Sequence, residues 1–285
     1  MKFSIRLAAA VSAALATPAF AQADDKAFDG PYVGVSVGGA FQSSAKNPTI
    51  LFNNNGDGNF GDPVTTSTGA NAFSPGFCRG AARTNLPSGG CRGDKDGVAY
   101  AVQAGYDKQF GAFVFGGFFE FGKADLKNSV SAFSLTPASF TLTRKIQFGG
   151  RADVRFGRVV GSNTLVFLEG GGSFARVTNG FATTVPVTTT SDNGHSKATG
   201  YNVGGGAEHR FNKHMSLGLE YFYTRLSDND YRLSIVGLDP SPPAGGGAPP
   251  PGGNSSRAAA QTIVFKRGDD HFSYHTVSVV AKYRF

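Results

Sequence analysis

Several short patterns in this chain carry residue types that could do chemistry, and each is tested by its spacing. Gly34-Val35-Ser36-Val37-Gly38 satisfies the G-x-S-x-G pattern of serine hydrolases. That chemistry needs a strained turn between a strand and a helix to present the serine. Here the residues alternate as in a strand and no helical period follows, so the match is accidental. His271 and His275 have the i, i+4 spacing of a helical metal site. On a strand that spacing separates them by ~13 Å, too far to share an ion. Nothing gathers the other histidines around a metal or a haem. Asp269-Asp270-His271 is the nearest approach to an acid–base group, and it reads as a solvated loop edge. Asn53-Asn54-Asn55-Gly56-Asp57-Gly58 matches the opening of a calcium loop, but the twelfth position is Val64 where a bidentate Glu is required. No catalytic, cofactor-binding or metal site is expected.

The remaining charged residues sit in segments with a period of two, the signature of strands. Eight such segments are found, each near the ~9–11 residues of a tilted membrane-spanning strand. The clearest sets Leu142, Ile146, Phe148, Ala152, Val154 and Phe156 against Thr143, Lys145, Gln147, Arg151, Asp153 and Arg155. Other segments place Glu120, Glu169, Glu208, Arg210, Glu220, Lys282 and Arg284 opposite Val, Leu, Phe and Tyr. A charge on the lipid face of a barrel costs roughly 2–4 kcal/mol at the bilayer midplane. The charged set is therefore expected inside a lumen: Glu120, Lys145, Arg151, Asp153, Arg155, Glu169, Glu208, Arg210, Glu220, Lys282 and Arg284. Arg144 breaks the alternation and is expected to snorkel to water from a strand end. A soluble sandwich would bury the apolar set instead, which is the lesser reading.

Connections near 108–112, 157–164 and 211–214 are short. Those near 43–95, 123–140, 176–198 and 226–270 are long. This alternation predicts an all-β, eight-stranded antiparallel up-and-down transmembrane barrel with long external loops and both termini at the turn end. Tyr231 to Leu238 and Gln261 to Arg267 are β-prone and flank a Pro/Gly tract. They are expected to extend the seventh and eighth strands into an external hairpin, with a ten-stranded barrel as the rival.

At the N-terminus, Lys2 and Arg6 precede an apolar stretch and Ala19-Phe20-Ala21 offers a cleavage site. Residues 1–21 read as a signal peptide and 22–285 as the barrel. Removing Lys2 and Arg6 lowers the formal charge from +7 to +5. Such a balance suits an anionic lipopolysaccharide surface, but a surplus of loop lysines and arginines over acids is the preferred explanation. No basic run or recognition helix points to nucleic acid. Export to an oxidising compartment makes a disulfide between Cys78 and Cys91 the expected state, with free surface thiols as the alternative.

Gly200-Tyr201-Asn202-Val203-Gly204-Gly205-Gly206-Ala207-Glu208, Met215-Ser216-Leu217-Gly218-Leu219-Glu220-Tyr221 and Phe167-Leu168-Glu169-Gly170-Gly171 together resemble strands of small outer-membrane barrels. The likeness is to the surface antigens of the RopB kind, related in shape to the OmpA transmembrane domain. The chain ends His275-Thr276-Val277-Ser278-Val279-Val280-Ala281-Lys282-Tyr283-Arg284-Phe285. The resemblance implies that Tyr283 and Phe285 belong to the signal read by the barrel-assembly machinery. It also implies a place in the bacterial outer membrane among lipid and lipopolysaccharide. The expected role is non-enzymatic, an envelope barrel displaying surface loops. Alternatives are a narrow porin-like channel, or an adhesin or receptor whose loops bind a host molecule or other ligand.

Overall fold

A computed structural model describes residues 26–43, 48–66, 68–185, 188–190, 194–236 and 262–285. The expected signal peptide and the Pro/Gly tract lie outside those residues. Eight long strands close a ring: β1 (Gly30–Gln42), β2 (Gly97–Phe110), β3 (Phe113–Ala124), β4 (Ala138–Val160), β5 (Thr164–Thr183), β6 (His195–Arg210), β7 (Met215–Ser227) and β8 (His271–Arg284). Each pairs antiparallel with its sequence neighbours, and β8 returns to β1 through pairs such as Val33↔Tyr283 and Val37↔Val279. Closure leaves no unpaired edge in the wall. Gly111 and Gly161 turn the chain tightly after β2 and β4 with φ of 58° and 67°, which a side chain would oppose.

The apolar face of each strand looks outward. Val35 is 58% exposed, Leu168 66% and Phe119 72%. So broad an apolar exterior is stable only against lipid. At the turn end it finishes in Phe110, Phe113, Phe156, Phe211, Tyr283 and Phe285, an aromatic belt.

One irregularity corrects the sequence reading. On β4, Phe148 pairs with Arg176 and Ile146 with Val177, so Gln147 has no opposite residue on β5. A bulge of this kind reverses the alternation beyond it. Lys145, expected in the lumen, therefore points outward, where it is half-exposed and 3.2 Å from Asp125. Arg144, expected to snorkel, is only 2% exposed and points inward. Leu142 and Ile146 turn inward with it.

The long connections fold. Lys127–Ser134 adds alongside the outer half of β4, and Gly76–Arg79 adds beside that. A second antiparallel sheet runs Thr188–Thr190, Leu233–Val236, Thr262–Arg267, Ile50–Asn53, drawing strands from three connections. The expected hairpin between the segments near 231 and 267 is thus present, but it leaves the wall and joins this separate sheet. Between the layers lie Ile50, Phe52, Phe73, Val130, Phe140, Leu233, Ile235, Ile263 and Phe265, all buried. Phe52 stacks on Phe73 with centroids 4.4 Å apart and meets Phe265 edge-on at 4.9 Å. The loop end therefore carries a β-structured cap with its own apolar core.

Candidate functional site

The lumen is a stack of packed layers. At the turn end Ala27, Phe28, Val114, Val159, Leu165 and Phe167 form an apolar floor. Phe28 is held there by its N–H donating to Gln109 Oε1 at 2.9 Å.

Above the floor lies an ionic layer. Arg155 donates to Asp107 and, from Nη1, to Glu208 at 3.0 Å, and Glu169 lies 3.8 Å away. Lys282 Nζ donates to Glu208 at 3.0 Å and to Glu220 at 3.1 Å. Arg284 donates to Asp107 at 2.9 Å and to the Gly30 carbonyl at 3.1 Å. Arg155, Lys282 and Arg284 all lie over the Tyr32 ring at 5.0–5.3 Å. Arg151 forks onto Glu120 through two bonds of 2.9 Å and packs 3.4 Å over the Phe222 ring. Asp153 accepts both 2.8 Å bonds from Asn202. Arg210 reaches the Ala27 carbonyl at 3.3 Å. Paired this densely, buried charges offset much of their desolvation cost.

Glycines make the room. A β-carbon at Gly116 would meet the Asp107 carboxylate, and one at Gly171 would meet that of Asp153. A polar cavity of about 80 Å³ remains beside Ser36, Glu120, Arg151, Ser173, Glu220 and Thr224. That is space for a few waters.

Toward the loop end the lumen turns apolar again, with Ala40, Leu126, Ile146, Val177, Leu226 and Phe272. A second ionic layer follows. Arg144 donates to Asp269 at 2.8 Å and to the His271 carbonyl at 3.0 Å, and lies 3.8 Å from Asp228. Arg267 donates to Asp269 at 2.8 and 3.1 Å and to Asn128 at 2.6 Å. Asn128 in turn donates to Asp94 at 2.9 Å. Burial alone would raise the Asp269 carboxyl, but the guanidinium groups of Arg144 and Arg267 outweigh it and hold it below the usual range. Burial pushes Asp94 upward. The capping core closes the stack.

Of the residues expected in the lumen, all but Lys145 face inward. In the first long connection the Cys78–Cys91 bridge has Cα atoms 6.1 Å apart. Tyr283 and Phe285 point outward, and the Phe285 N–H donates to the Pro31 carbonyl at 3.1 Å.

Sequence spacing gave no hint of one pairing. Ser43 Oγ lies 3.1 Å from His275 Nε2, and the His275 Nδ1 lies 2.7 Å from the Tyr221 hydroxyl. This resembles a nucleophile–base pair, yet a phenol stands where a carboxylate would orient the ring. The Ser43 N–H donates to the Ser273 carbonyl at 3.1 Å and so is not itself free to act as an oxyanion donor. His275 also stacks on Tyr221 at 5.8 Å, as belongs to an interfacial aromatic belt. Asp269 is ion-paired to Arg144 and Arg267, and Asp270 to Lys266.

A closed eight-stranded ring, an apolar exterior and a charged packed interior define a transmembrane β-barrel. Residues 7–240 match the family model of the outer membrane protein beta-barrel domain. The chain belongs to that family and is an outer-membrane barrel. Its fold is similar to that of OprG from Pseudomonas aeruginosa, at 11% identity and TM-score 0.45, covering 92% of this chain and 100% of that one. Ail, the attachment invasion locus protein of Yersinia pestis, solved with the heparin analogue sucrose octasulfate, matches at 10% identity and TM-score 0.33. It covers 90% and 99% of the two chains. Among curated proteins none matches in sequence.

Proposed function

We propose that this protein is a structural, non-conducting and non-enzymatic barrel of the outer membrane that presents a folded cap at the cell surface. The observation that carries this reading is the alternation of apolar and ionic layers along the lumen. An ion entering it would have to displace Phe272 or Phe28, both 4% exposed or less, and compete with the salt bridges of Arg155 and Lys282 to Glu208. A narrow diffusion channel is the competing reading, and conductance separates the two. Single-channel recording of the inserted protein is expected to be silent, and steady reproducible openings would overturn the proposal.

The cap supports a second role, binding of a host molecule or other ligand. Its tip carries exposed Asn55, Asp57 and Asn59 on a turn braced by its own side chains. Tyr283 and Phe285 are proposed as the residues read by the barrel-assembly machinery. Residues 1–21 are proposed as the export signal. Loss of membrane insertion on Phe285→Ser, with export to the periplasm retained, is the expected outcome for the first.

A further inference from the structure

The side chains of the inner ionic layer do not balance. Its cations are Arg151, Arg155, Lys282 and Arg284, and its carboxylates are Asp107, Glu120, Asp153, Glu169, Glu208 and Glu220. Among the described residues two negative charges are left over, and counting Arg210, beside the floor, leaves one. The apolar floor lies beneath this layer and a second apolar level above it. An uncompensated charge enclosed in that way is costly.

The surplus gathers around Arg151. This one guanidinium forks onto Glu120, lies 3.3 Å from Asp153 and reaches Glu220 only at 3.7 Å. Its single charge stands against two on Glu120 and Asp153 alone, so the neighbourhood stays negative beside it. Glu220 is 2% exposed. Its Oε1 accepts from Lys282 at 3.1 Å, whereas its Oε2 accepts no hydrogen bond from any described residue.

Glu220 borders the polar cavity of about 80 Å³, together with the hydroxyls of Ser36, Ser173, Thr276 and Ser278. Ser173 donates its proton to Asn202 and keeps its lone pairs. The hydroxyls of Ser36, Thr276 and Ser278 bond to no described group. Carboxylate and hydroxyl oxygens are the donors that hard cations take. The volume suits a small ion with a water or two, at about 30 Å³ per water. A surplus of one selects a monovalent ion, since a divalent ion would overshoot it.

We propose that this cavity binds one sodium ion, held by Glu220 Oε2 and the hydroxyls of Ser36 and Ser278 and captured as the ring closes. Retention of the ion rests on the closed lumen proposed above; its binding does not.

The test refolds the protein into non-ionic detergent in sodium chloride or choline chloride at equal ionic strength, and follows urea unfolding. Choline is too large for the cavity. With sodium ~100-fold above its Kd, the midpoint is expected to lie about 1 M lower in choline. Glu220→Gln removes the surplus charge and is expected to erase the difference between the salts. Ser36→Ala/Ser278→Ala, which leaves every charge in place, guards against misfolding of that variant. It is expected to keep the choline midpoint and weaken the sodium response roughly tenfold. Radioactive sodium present during refolding should remain with the barrel after desalting, one ion per chain. A sodium-dependent midpoint without retention would uphold the site and refute the closed lumen. Equal midpoints in the two salts, or a sodium response unchanged in both variants, would overturn the proposal.

Discussion

Glu208→Gln is the sharpest probe of the inner ionic layer. The carboxylate is fully buried, accepts from Arg155 and Lys282 at 3.0 Å each and from Ser216 Oγ at 2.7 Å, and lies 3.7 Å from Arg284. Glutamine keeps the shape and removes the charge, leaving three cations with less compensation. Breaking a buried pair from one side costs about 3–5 kcal/mol. With a urea slope of about 2 kcal/mol per molar, the unfolding midpoint should fall by about 2 M. Circular dichroism of the barrel refolded into lipid vesicles, across a urea series, reads that shift. Adding Lys282→Met should recover part of the loss, because the surplus cation goes with the missing anion. A loss below about 1 kcal/mol for Glu208→Gln would match a solvent-screened pair and refute the dry, tightly coupled layer. So would a double variant that is no better than additive.

Three further outcomes concern the cap. Asp269 has its carboxyl depressed by Arg144 and Arg267, so its contribution is complete above the unfolded-state value near 4 and is lost as pH falls through the lower folded value. Hydrogen exchange around Asp269, after allowance for its intrinsic pH dependence, is expected to rise as pH falls below about 4 and before the barrel opens, while protonation of the upward-shifted Asp94 acts in the opposite sense at higher pH. Phe265→Ala removes a fully buried ring that contacts Phe52 and Phe140 and should cost the cap about 3–5 kcal/mol. Limited proteolysis from outside should then cut the cap while the barrel strands stay protected. Cys78→Ser/Cys91→Ser removes ~3 kcal/mol of loop restraint and should speed cleavage between residues 48 and 95, with the urea midpoint of the barrel unmoved.

The barrel itself was legible because a spanning strand has to alternate and its charges have to avoid lipid. Those two demands place Asp153, Glu208 and Lys282 without any tertiary information. They fail at Arg144 and Lys145, because a single extra residue at Gln147 inverts the pattern and periodicity cannot register it. The cap escaped for a different reason. Ile50–Asn53 and Thr262–Arg267 are short apolar runs that pair across some two hundred residues, so neither makes sense until both are in place. The Ser43–His275 contact, 232 residues apart, was invisible for the same cause.

The charge balance of the lumen also orders events in time. Lys282 and Arg284 lie on the final strand, while the acids they neutralise come from β2, β6 and β7. Until β8 docks, Arg155 is the cation left to Asp107, Glu169 and Glu208, with Arg151 beside Glu220. A chain truncated before Lys282 therefore has no well-balanced seven-strand state in which to rest. The strand that closes the ring against β1 thus also completes its charge balance, so closure and neutralisation are one event.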